Sequence, residues 1–319
     1  MGRCLRPLLA ALLSLGLLAS ASASATANEG QQTPAYIALG DSIAFGVGAS
    51  TPSSKGYVGR AFAGLSKSER YRDRGLTLVN LSASGATSAD LLVPEGQLDK
   101  AIAEIERRSE EVIMTLNIGG NDLLGLLSRG SPCVTDAASD ACSADFEQML
   151  SDVQANLREV LERLRDAAPE ATIIVVDLYN PYSGTADPRE AIADFGVAQV
   201  NAVSSVVSGG EDLRVKTAAT YRLFLGRGKQ WIAGDGIHPN DSGHAVIAEV
   251  VLSEIEGRPS EIPAELLVET PAPVATGAGV ILDTGTGRSD SELLVVAVAA
   301  FFAGGVVSGA FFALRGRPR

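Results

Sequence analysis

The amino-acid sequence predicts an α/β fold in which helices cover both faces of a parallel β-sheet, giving a three-layer α/β/α sandwich. Short apolar runs alternate with amphipathic helical stretches between residues 35 and 256, an order typical of parallel strands joined by helical crossovers. The third run, "EVIMTLNIG", is rich in branched residues, which indicates a strand buried on both sides. Five such runs predict a five-stranded sheet.

The predicted strands occupy residues 35–40, 76–82, 111–119, 172–180 and 213–220. Helical patterns lie at residues 57–67, 97–108, 144–169, 187–207 and 241–256. Pro169 ends the longest helix, because proline does not continue a helix. Asp187 and Pro188 predict the start of the next one, since an Asp cap followed by proline suits a first helical turn.

An apolar run at the N-terminus lies outside this domain. Arg3 and Arg6 precede an apolar core, and the small residues Ala25-Thr26-Ala27 follow it. This order predicts a secretory signal peptide over residues 1–27. An uncleaved anchor is the alternative interpretation.

A second apolar run, residues 293–314, contains no charged residue and is long enough to cross a bilayer as a helix. The basic tail "RGRPR", residues 315–319, is expected on the cytoplasmic side. The sequence therefore predicts an exported, cell-surface protein anchored in the plasma membrane by a C-terminal transmembrane helix. The preceding "ILDTG" faintly resembles a cell-wall sorting motif, so wall attachment is an alternative.

Between these regions, composition separates a domain from a linker. Residues 28–256 carry the alternating pattern, whereas residues 257–292 are rich in Pro, Gly, Thr and Ser. The second stretch predicts a flexible stalk, which as a coil would reach on the order of 30–36 Å.

The charge balance is acidic. The chain has 26 basic and 38 acidic residues; the predicted signal peptide contains two arginines and no acid, so 24 − 38 gives −14 for the mature chain. A net field of that sign disfavours nucleic acid and anionic lipid as partners. The expected partner is an ester substrate, small or carried on a glycan or lipid, and the expected oligomeric state is a monomer.

Two cysteines remain after the predicted signal peptide, which contains Cys4, is removed. Cys133 and Cys142 flank the polar stretch "VTDAASDA". In an oxidising compartment they are expected to form a disulfide that closes a small loop. Two free buried thiols are the alternative.

Polar residues follow several predicted strands at the edge where parallel α/β sheets bind ligands. Ser42 follows the first strand, Gly85 the second and Asn121 the third, while Asp235 and His238 precede the last helix. These are the residue types that acyl transfer requires. A serine needs an imidazole to accept its proton, and the imidazole needs a carboxylate to fix its tautomer.

The histidine count narrows the choice of base. The chain contains only His238 and His244. His238 lies three residues after Asp235 in a Gly/Pro-rich loop, whereas His244 lies inside a helical pattern. His238 is therefore the expected base and His244 a structural residue. Backbone N–H groups at Ser42 and Gly85, with the Asn121 amide, are candidates for binding an oxyanion.

The motifs "GDSIAFG", Gly85, "GGND" and "DGIH" resemble, in order and spacing, the successive blocks of the SGNH hydrolases, also called GDSL esterases or lipases. The resemblance covers residues 36–256. It implies a flavodoxin-like sheet, a catalytic triad of Ser42, Asp235 and His238, and an oxyanion hole from Ser42, Gly85 and Asn121. One departure is Ile43, where the family's short name has leucine.

Together these observations predict a membrane-anchored serine esterase that hydrolyses carboxylic esters, with short acyl groups preferred. Two alternatives stay open: an acyltransferase with the same triad, and a surface module that binds glycan without hydrolysis. No cofactor is expected, because the sequence contains no phosphate-binding glycine motif. Two histidines and a disulfide pair also leave few ligands for zinc, although a site made of carboxylates alone is not excluded.

Overall fold

The computed structural model describes residues 33–108 and 111–267. Within these ranges five strands form one sheet in the order β2-β1-β3-β4-β5, and every neighbouring pair is parallel. The strands are β1 (Ala35–Gly40), β2 (Thr77–Asn80), β3 (Val112–Asn117), β4 (Thr172–Val176) and β5 (Val215–Ala218). This is the flavodoxin-like order, so the predicted fold class is confirmed.

Helices surround the sheet, and two short 3₁₀ turns lie at Ala89–Leu92 and Ala264–Leu266. The helices are α1 (Ser42–Phe45), α2 (Pro52–Lys55), α3 (Tyr57–Leu65), α4 (Gln97–Glu106), α5 (Gly120–Gly125), α6 (Pro132–Thr135), α7 (Asp140–Ala167), α8 (Glu190–Ser208), α9 (Tyr221–Phe224), α10 (Gly228–Trp231) and α11 (Asp241–Glu256).

The central strand β1 explains the three layers, because all six of its residues are buried. Its side chains alternate between the two faces, as the strand geometry requires. Tyr36 and Ala38 belong to the apolar cluster that includes α3 and α11. Ile37 and Leu39 belong to the opposite cluster, which includes α4 and α7. Each face of the sheet therefore has its own core.

Several predicted boundaries shift: the helix predicted over 144–169 begins at Asp140, for example, and two other shifts have a visible cause. The strand predicted over 172–180 ends at Val176, because the backbone N–H and carbonyl of Leu178 bond to the side chain of Asn201, each at 2.9 Å. The helix predicted from 187 begins at Glu190. Asp187 does not cap it in the expected way; its carboxylate instead accepts from the backbone and guanidinium N–H groups of Arg189.

The chain continues to pack on the domain beyond the predicted boundary at residue 256. Arg258 pairs with Glu249 at 2.6 Å, and the indole N–H of Trp231 donates to the carbonyl of Leu266 at 3.2 Å. The folded domain therefore includes the first residues of the predicted stalk, up to Leu267. The predicted signal peptide, the rest of the stalk, the transmembrane segment and the basic tail lie outside the described residues.

Among the described residues, one helix has the length and apolar composition needed to cross a membrane, and it is α8. Its buried residues Val197 and Val200 pack with Met149 and Val153 of α7. That packing buries part of the apolar surface of α8. The predicted span at 293–314 is a different segment.

Cys133 and Cys142 are joined by a disulfide, with Cα atoms 4.6 Å apart. The bond connects α6 to the first turn of α7 and closes the small loop that the sequence predicts. This loop follows α5, which carries Asn121.

His244 lies in α11 and is fully buried. Its Nδ1 accepts from the backbone N–H of Tyr57 at 3.2 Å, so the proton must lie on Nε2, which is 2.9 Å from the carbonyl oxygen of Val47. Burial lowers the pKa of His244 to about 4. The residue is thus a neutral structural tie between α11, α3 and the loop after α1, as its helical position suggested.

We expect His244 to make the domain sensitive to mild acid. Its pKa falls from 6.5 in the unfolded chain to about 4 in the fold, so the unfolded state gains a proton first as the pH decreases. The free energy of unfolding should therefore decrease as the pH is lowered from 6.5 to about 4, by about 3 kcal/mol in total. Urea denaturation of the wild type and of His244→Gln, which keeps an amide donor and acceptor, measures this. Parallel pH curves for the two proteins would contradict the assignment.

Candidate active site

The end of β1 places Ser42 at the carboxyl edge of the sheet. The carboxylate of Asp41 accepts from the backbone N–H of Ile43 at 2.9 Å and so caps α1. Ser42 is the first residue of this helix and is 8% exposed. The first N–H groups of a helix have no intrahelical acceptor, which leaves the Ser42 N–H available.

The structure brings Ser42, His238 and Asp235 together in one line of hydrogen bonds. The Nε2 atom of His238 lies 2.9 Å from Ser42 Oγ. On the other side of the ring, Nδ1 lies 2.7 Å from Oδ2 of Asp235. This is the connectivity in which an imidazole accepts a serine proton while a carboxylate holds its tautomer.

Asp235 is held as an anion by its own loop. Its Oδ1 accepts from the backbone N–H groups of Ile237 and His238, both at 3.0 Å. Partial burial raises the pKa of this carboxyl, but these two N–H groups and the imidazole outweigh burial and bring the pKa below its usual value. The carboxylate is therefore charged at neutral pH, as its position beside an imidazole requires.

Gly48 lets the loop after α1 approach the loop that carries His238. Its φ is +89°, and a Cβ there would lie 2.3 Å from the carbonyl oxygen of Pro239 and 2.8 Å from the Cβ of His238. Both distances are shorter than side chains tolerate. Only glycine fits this contact, which keeps the imidazole within reach of the serine.

Asp241 strengthens the same junction. Its carboxylate accepts from the backbone N–H of Ser50 at 2.8 Å and from the Ser50 hydroxyl at 2.7 Å. Together with the bond from His244 to Val47, this fixes the loop after the serine to the first turn of α11. The serine and histidine segments are therefore positioned by side chains outside the triad.

Gly85 and Asn121 lie on the adjacent strand ends. Gly85 has φ +85°, and no atom lies within 4 Å of the position that a Cβ would take. In the described part of the chain the Gly85 N–H donates no hydrogen bond. The Asn121 amide donates to the carbonyl of Ala86 at 2.9 Å; a primary amide has two N–H groups, so one is left for a ligand.

Asp122 joins these two strand ends. Its carboxylate accepts from the backbone N–H of Ser88 at 2.9 Å and from the Ser88 hydroxyl at 2.6 Å. Asn156 of α7 donates to the same hydroxyl at 2.9 Å. This network holds the loop of Gly85 against the loop of Asn121.

Two further supporting residues are absent from the sequence-based prediction. Gln97 makes two bonds to the backbone of Gly40, at 2.8 and 2.9 Å. The Tyr179 hydroxyl donates to the carbonyl of Ile237 at 2.9 Å, and its ring stacks on Phe224 with centroids 4.3 Å apart. A buried glutamine and a tyrosine at a strand end carry no short-range signal of these roles, because both partners are distant in sequence.

Burial also affects Asp41, which is 1% exposed. Burial raises the pKa of this carboxyl to about 7, opposed by the N–H of Ile43 and reinforced by the charge of Asp122. Asp41 shapes the start of α1 and does not contact the imidazole of His238 in the hydrogen-bond pattern described above. Its role is therefore to position the serine.

Comparison with known proteins identifies the family. The family model described as GDSL-like Lipase/Acylhydrolase matches residues 38–246, which is more than half of the 319 residues. The chain belongs to the GDSL-like lipase/acylhydrolase family. Its general activity is therefore the hydrolysis of ester bonds, and the resemblance drawn from the sequence motifs is confirmed.

Individual relatives of this GDSL-family chain cover its folded domain. The spore germination lipase LipC of Bacillus licheniformis is 26% identical over 227 residues, which are 70% of this chain and 97% of LipC. The lipase Lip_vut3 from a goat rumen metagenome is 25% identical, with a TM-score of 0.52 over 70% of this chain and 97% of that one. The phospholipase A1 of Streptomyces albidoflavus NA297, 21% identical with a TM-score of 0.52, covers 70% and 99% and shares the fold.

Residues 33–108 and 111–267 of this GDSL-family domain contain no cluster of metal-ligating side chains. No three side chains of His, Cys, Asp or Glu come together there in a way that could hold an ion. Asp235, His238 and Ser42 are instead bonded to one another, as described above.

We expect Gly48→Ala to lower turnover and also to destabilise the domain, because a φ of +89° strains a residue with a side chain. The new methyl would push the backbone of Pro239, and with it His238, away from Ser42, and a misplacement of about 1 Å can reduce catalysis by about 10²-fold. The kcat for p-nitrophenyl acetate measures this. Gly130→Ala is the matched control, because Gly130 has a similar φ of +92° but nothing lies within 4 Å of its Cβ position. Equal kcat values for the two variants would contradict the role given to Gly48.

Proposed function

We propose that this GDSL-family chain is an exported serine esterase that works through an acyl-enzyme on Ser42. The observation that carries the proposal is the continuous set of hydrogen bonds from Ser42 through His238 to Asp235, at 2.9 and 2.7 Å. Because Asp235 is already charged and held by its own loop, the imidazole is oriented before substrate binds.

In the first half of the proposed reaction, Ser42 Oγ attacks the ester carbonyl carbon while His238 Nε2 accepts the hydroxyl proton. The tetrahedral intermediate collapses as the bond to the alcohol oxygen breaks, and His238 returns the proton to that oxygen. Asp235 stabilises the imidazolium in between. The products are the free alcohol and an acyl group on Ser42.

The developing oxyanion needs donors that are already in place. We propose the N–H groups of Ser42 and Gly85 and the second N–H of the Asn121 amide. Two features support this set: the Gly85 N–H donates no hydrogen bond in the described part of the chain, and Asn121 is fixed next to Gly85 through the carbonyl of Ala86.

In the second half, a water molecule attacks the acyl-enzyme as His238 takes its proton, and the acid leaves as Ser42 regains a hydrogen. If a sugar or lipid hydroxyl replaces the water, the same steps give an acyltransferase. The two outcomes share every residue of the site, so they are separated by adding acceptor alcohols and measuring transfer against hydrolysis.

For the substrate we propose carboxylic esters with short acyl groups, because the sequence has no long apolar lid between the catalytic motifs. Longer acyl esters are a second candidate. They are favoured by the exposure of Phe45 and Leu124, 48% and 41%, on the helices that also carry Ser42 and Asn121. Relatives whose names describe lipases point in the same direction.

The two substrate proposals predict different chain-length profiles. We expect kcat/KM for p-nitrophenyl esters to fall beyond short acyl groups if the first is right, and to rise with length if the exposed apolar residues bind the chain, by up to about 0.8 kcal/mol for each buried methylene.

Ser42→Ala should abolish both turnover and labelling by a fluorophosphonate. A folded wild type without either would favour the glycan-binding alternative.

We expect Asn121→Ala to lower kcat by about 10²–10³ while the melting temperature changes little. Gln230→Ala is the control. It also removes a hydrogen bond from a side-chain amide to a backbone carbonyl, that of Leu266, but away from Ser42. If Asn121→Ala fails to fold, or keeps its kcat, the residue is structural and not an oxyanion donor.

We also propose that the chain is exported through the signal peptide at residues 1–27 and anchored by residues 293–314. The cysteine pair within the domain supports an oxidising location. The full chain should then resist carbonate extraction from membranes, whereas a chain that ends at residue 292 should be released. Release of both, or retention of both, would contradict the anchor.

A further inference from the structure

We propose that a basic surface beside the catalytic loop docks on an anionic phospholipid bilayer. This surface, the cationic patch, consists of Arg222, Leu225, Lys229 and Leu267. It is separate from the serine site and does not depend on the proposed ester chemistry.

The first observation is the distribution of charge along the chain. The whole protein has a formal net charge of −12, yet residues 213–234 contain five basic residues and no acidic one. Two of the five serve the fold: Arg214 pairs with Glu170 at 3.6 Å, and Lys216 donates to the carbonyl of Glu254. The other three lie on α9, on α10 and in the turn between them.

Arg222 and Lys229 are exposed and make no hydrogen bond or ion pair with any described residue. Long cationic side chains without a partner are available to a ligand. The nearby acid Asp187 is already engaged by Arg189, at 2.7 and 2.8 Å. Glu265 is the exposed acid of the adjoining 3₁₀ turn.

The second observation is that large apolar side chains are exposed in the same segment and at Leu267, whose backbone bonds to it. Leu225 and Leu267 are 44% and 41% exposed. Leu267 is held at the patch because its carbonyl accepts from Arg227 at 3.4 Å, while Trp231 binds the carbonyl of Leu266. Exposed leucine among lysine and arginine is the combination that inserts into a lipid interface while the charges contact headgroups.

The net acidity of the chain does not oppose this contact. Charges act over roughly 8 Å at physiological salt. Binding to a surface therefore depends on the charge of the local patch and not on the net charge of the chain. Lys229 and Gly236 line the same cavity of about 300 Å³, and Gly236 follows Asp235. Docking through the patch would therefore hold the catalytic loop near the lipid surface. Leu267 is also the last residue that the structure describes, and the predicted membrane span follows it in the sequence.

The single tryptophan of the chain provides a direct test, because Trp231 lies in α10 beside Lys229. The full chain is mixed with phosphatidylcholine vesicles, with or without phosphatidylglycerol, that contain dansyl-phosphatidylethanolamine. Energy transfer from Trp231 to dansyl reports that this face lies against the bilayer. A tail that anchors the chain without docking this face gives low transfer. The readout requires no enzyme activity, so it is independent of the proposed reaction.

We expect transfer to rise with phosphatidylglycerol and to be lost at about 1 M salt, where the Debye length is about 3 Å. Each cation near an anionic surface strengthens binding about fivefold, so Arg222→Gln with Lys229→Gln should weaken docking about 30-fold. Glu265→Gln should strengthen it. The matched control, Lys67→Gln with Lys100→Gln, removes the same charge from exposed lysines elsewhere.

Three results would overturn the proposal. One is equal transfer on vesicles with and without anionic lipid. Another is unchanged transfer in the Arg222 and Lys229 variant, whose fold is checked by its melting temperature. The third is an equal loss in the Lys67 and Lys100 control, which would assign the effect to net charge rather than to the patch.

Discussion

The hydrogen bond between Ser42 Oγ and His238 Nε2 joins residues 196 positions apart in the chain, and much of the surrounding structure maintains it. Ser42 is fixed by the end of β1, where Gln97 bonds to Gly40 and Asp41 caps α1. His238 is fixed by Asp235, which bonds to its backbone N–H and to its ring, and by the N–H of Ala233, which donates to its carbonyl at 2.8 Å. An imidazole and a hydroxyl exchange a proton only within hydrogen-bond reach. A small displacement of either segment would therefore break this contact.

That constraint explains why so many polar groups lie between α1 and α11. Asp241 bonds to Ser50, and neutral His244 bonds to Val47 and Tyr57. These contacts are short and directional, so they fix the position of one segment relative to the other. The two histidines of the chain thus lie in opposite environments. His238 bonds to the carboxylate of Asp235 and to Ser42, whereas His244 is buried and kept neutral.

The net charge of the chain and the local charge of the segment from α9 to α10 have opposite signs. The chain has a formal net charge of −12, yet the segment from α9 to α10 contains only basic charges, and its Lys229 lines the same cavity as Gly236, next to Asp235. Net charge governs long-range behaviour, while contact with a surface depends on groups within a Debye length. A protein can therefore be acidic overall and still present one face to an anionic bilayer.

Much of the architecture was predictable from sequence, since buried parallel strands are continuous apolar runs and β1 and β3 were located closely. The four-residue helices were not, because α1 and α9 are too short to show a period. Strand β4 ends early because Asn201, distant in sequence, takes the backbone groups of Leu178. Such competition for hydrogen bonds leaves no local pattern.

The sequence by itself determined the fold class, the family, and which side chains lie at the carboxyl edge of the sheet, because periodicity and strand-end motifs are local properties. Only the tertiary structure decided which residues support them. Gly48 admits the histidine loop, Asp122 joins two strand ends through Ser88, and Tyr179 bonds to Ile237. The physical reason is that each of these contacts joins segments that become neighbours only when the sheet has formed.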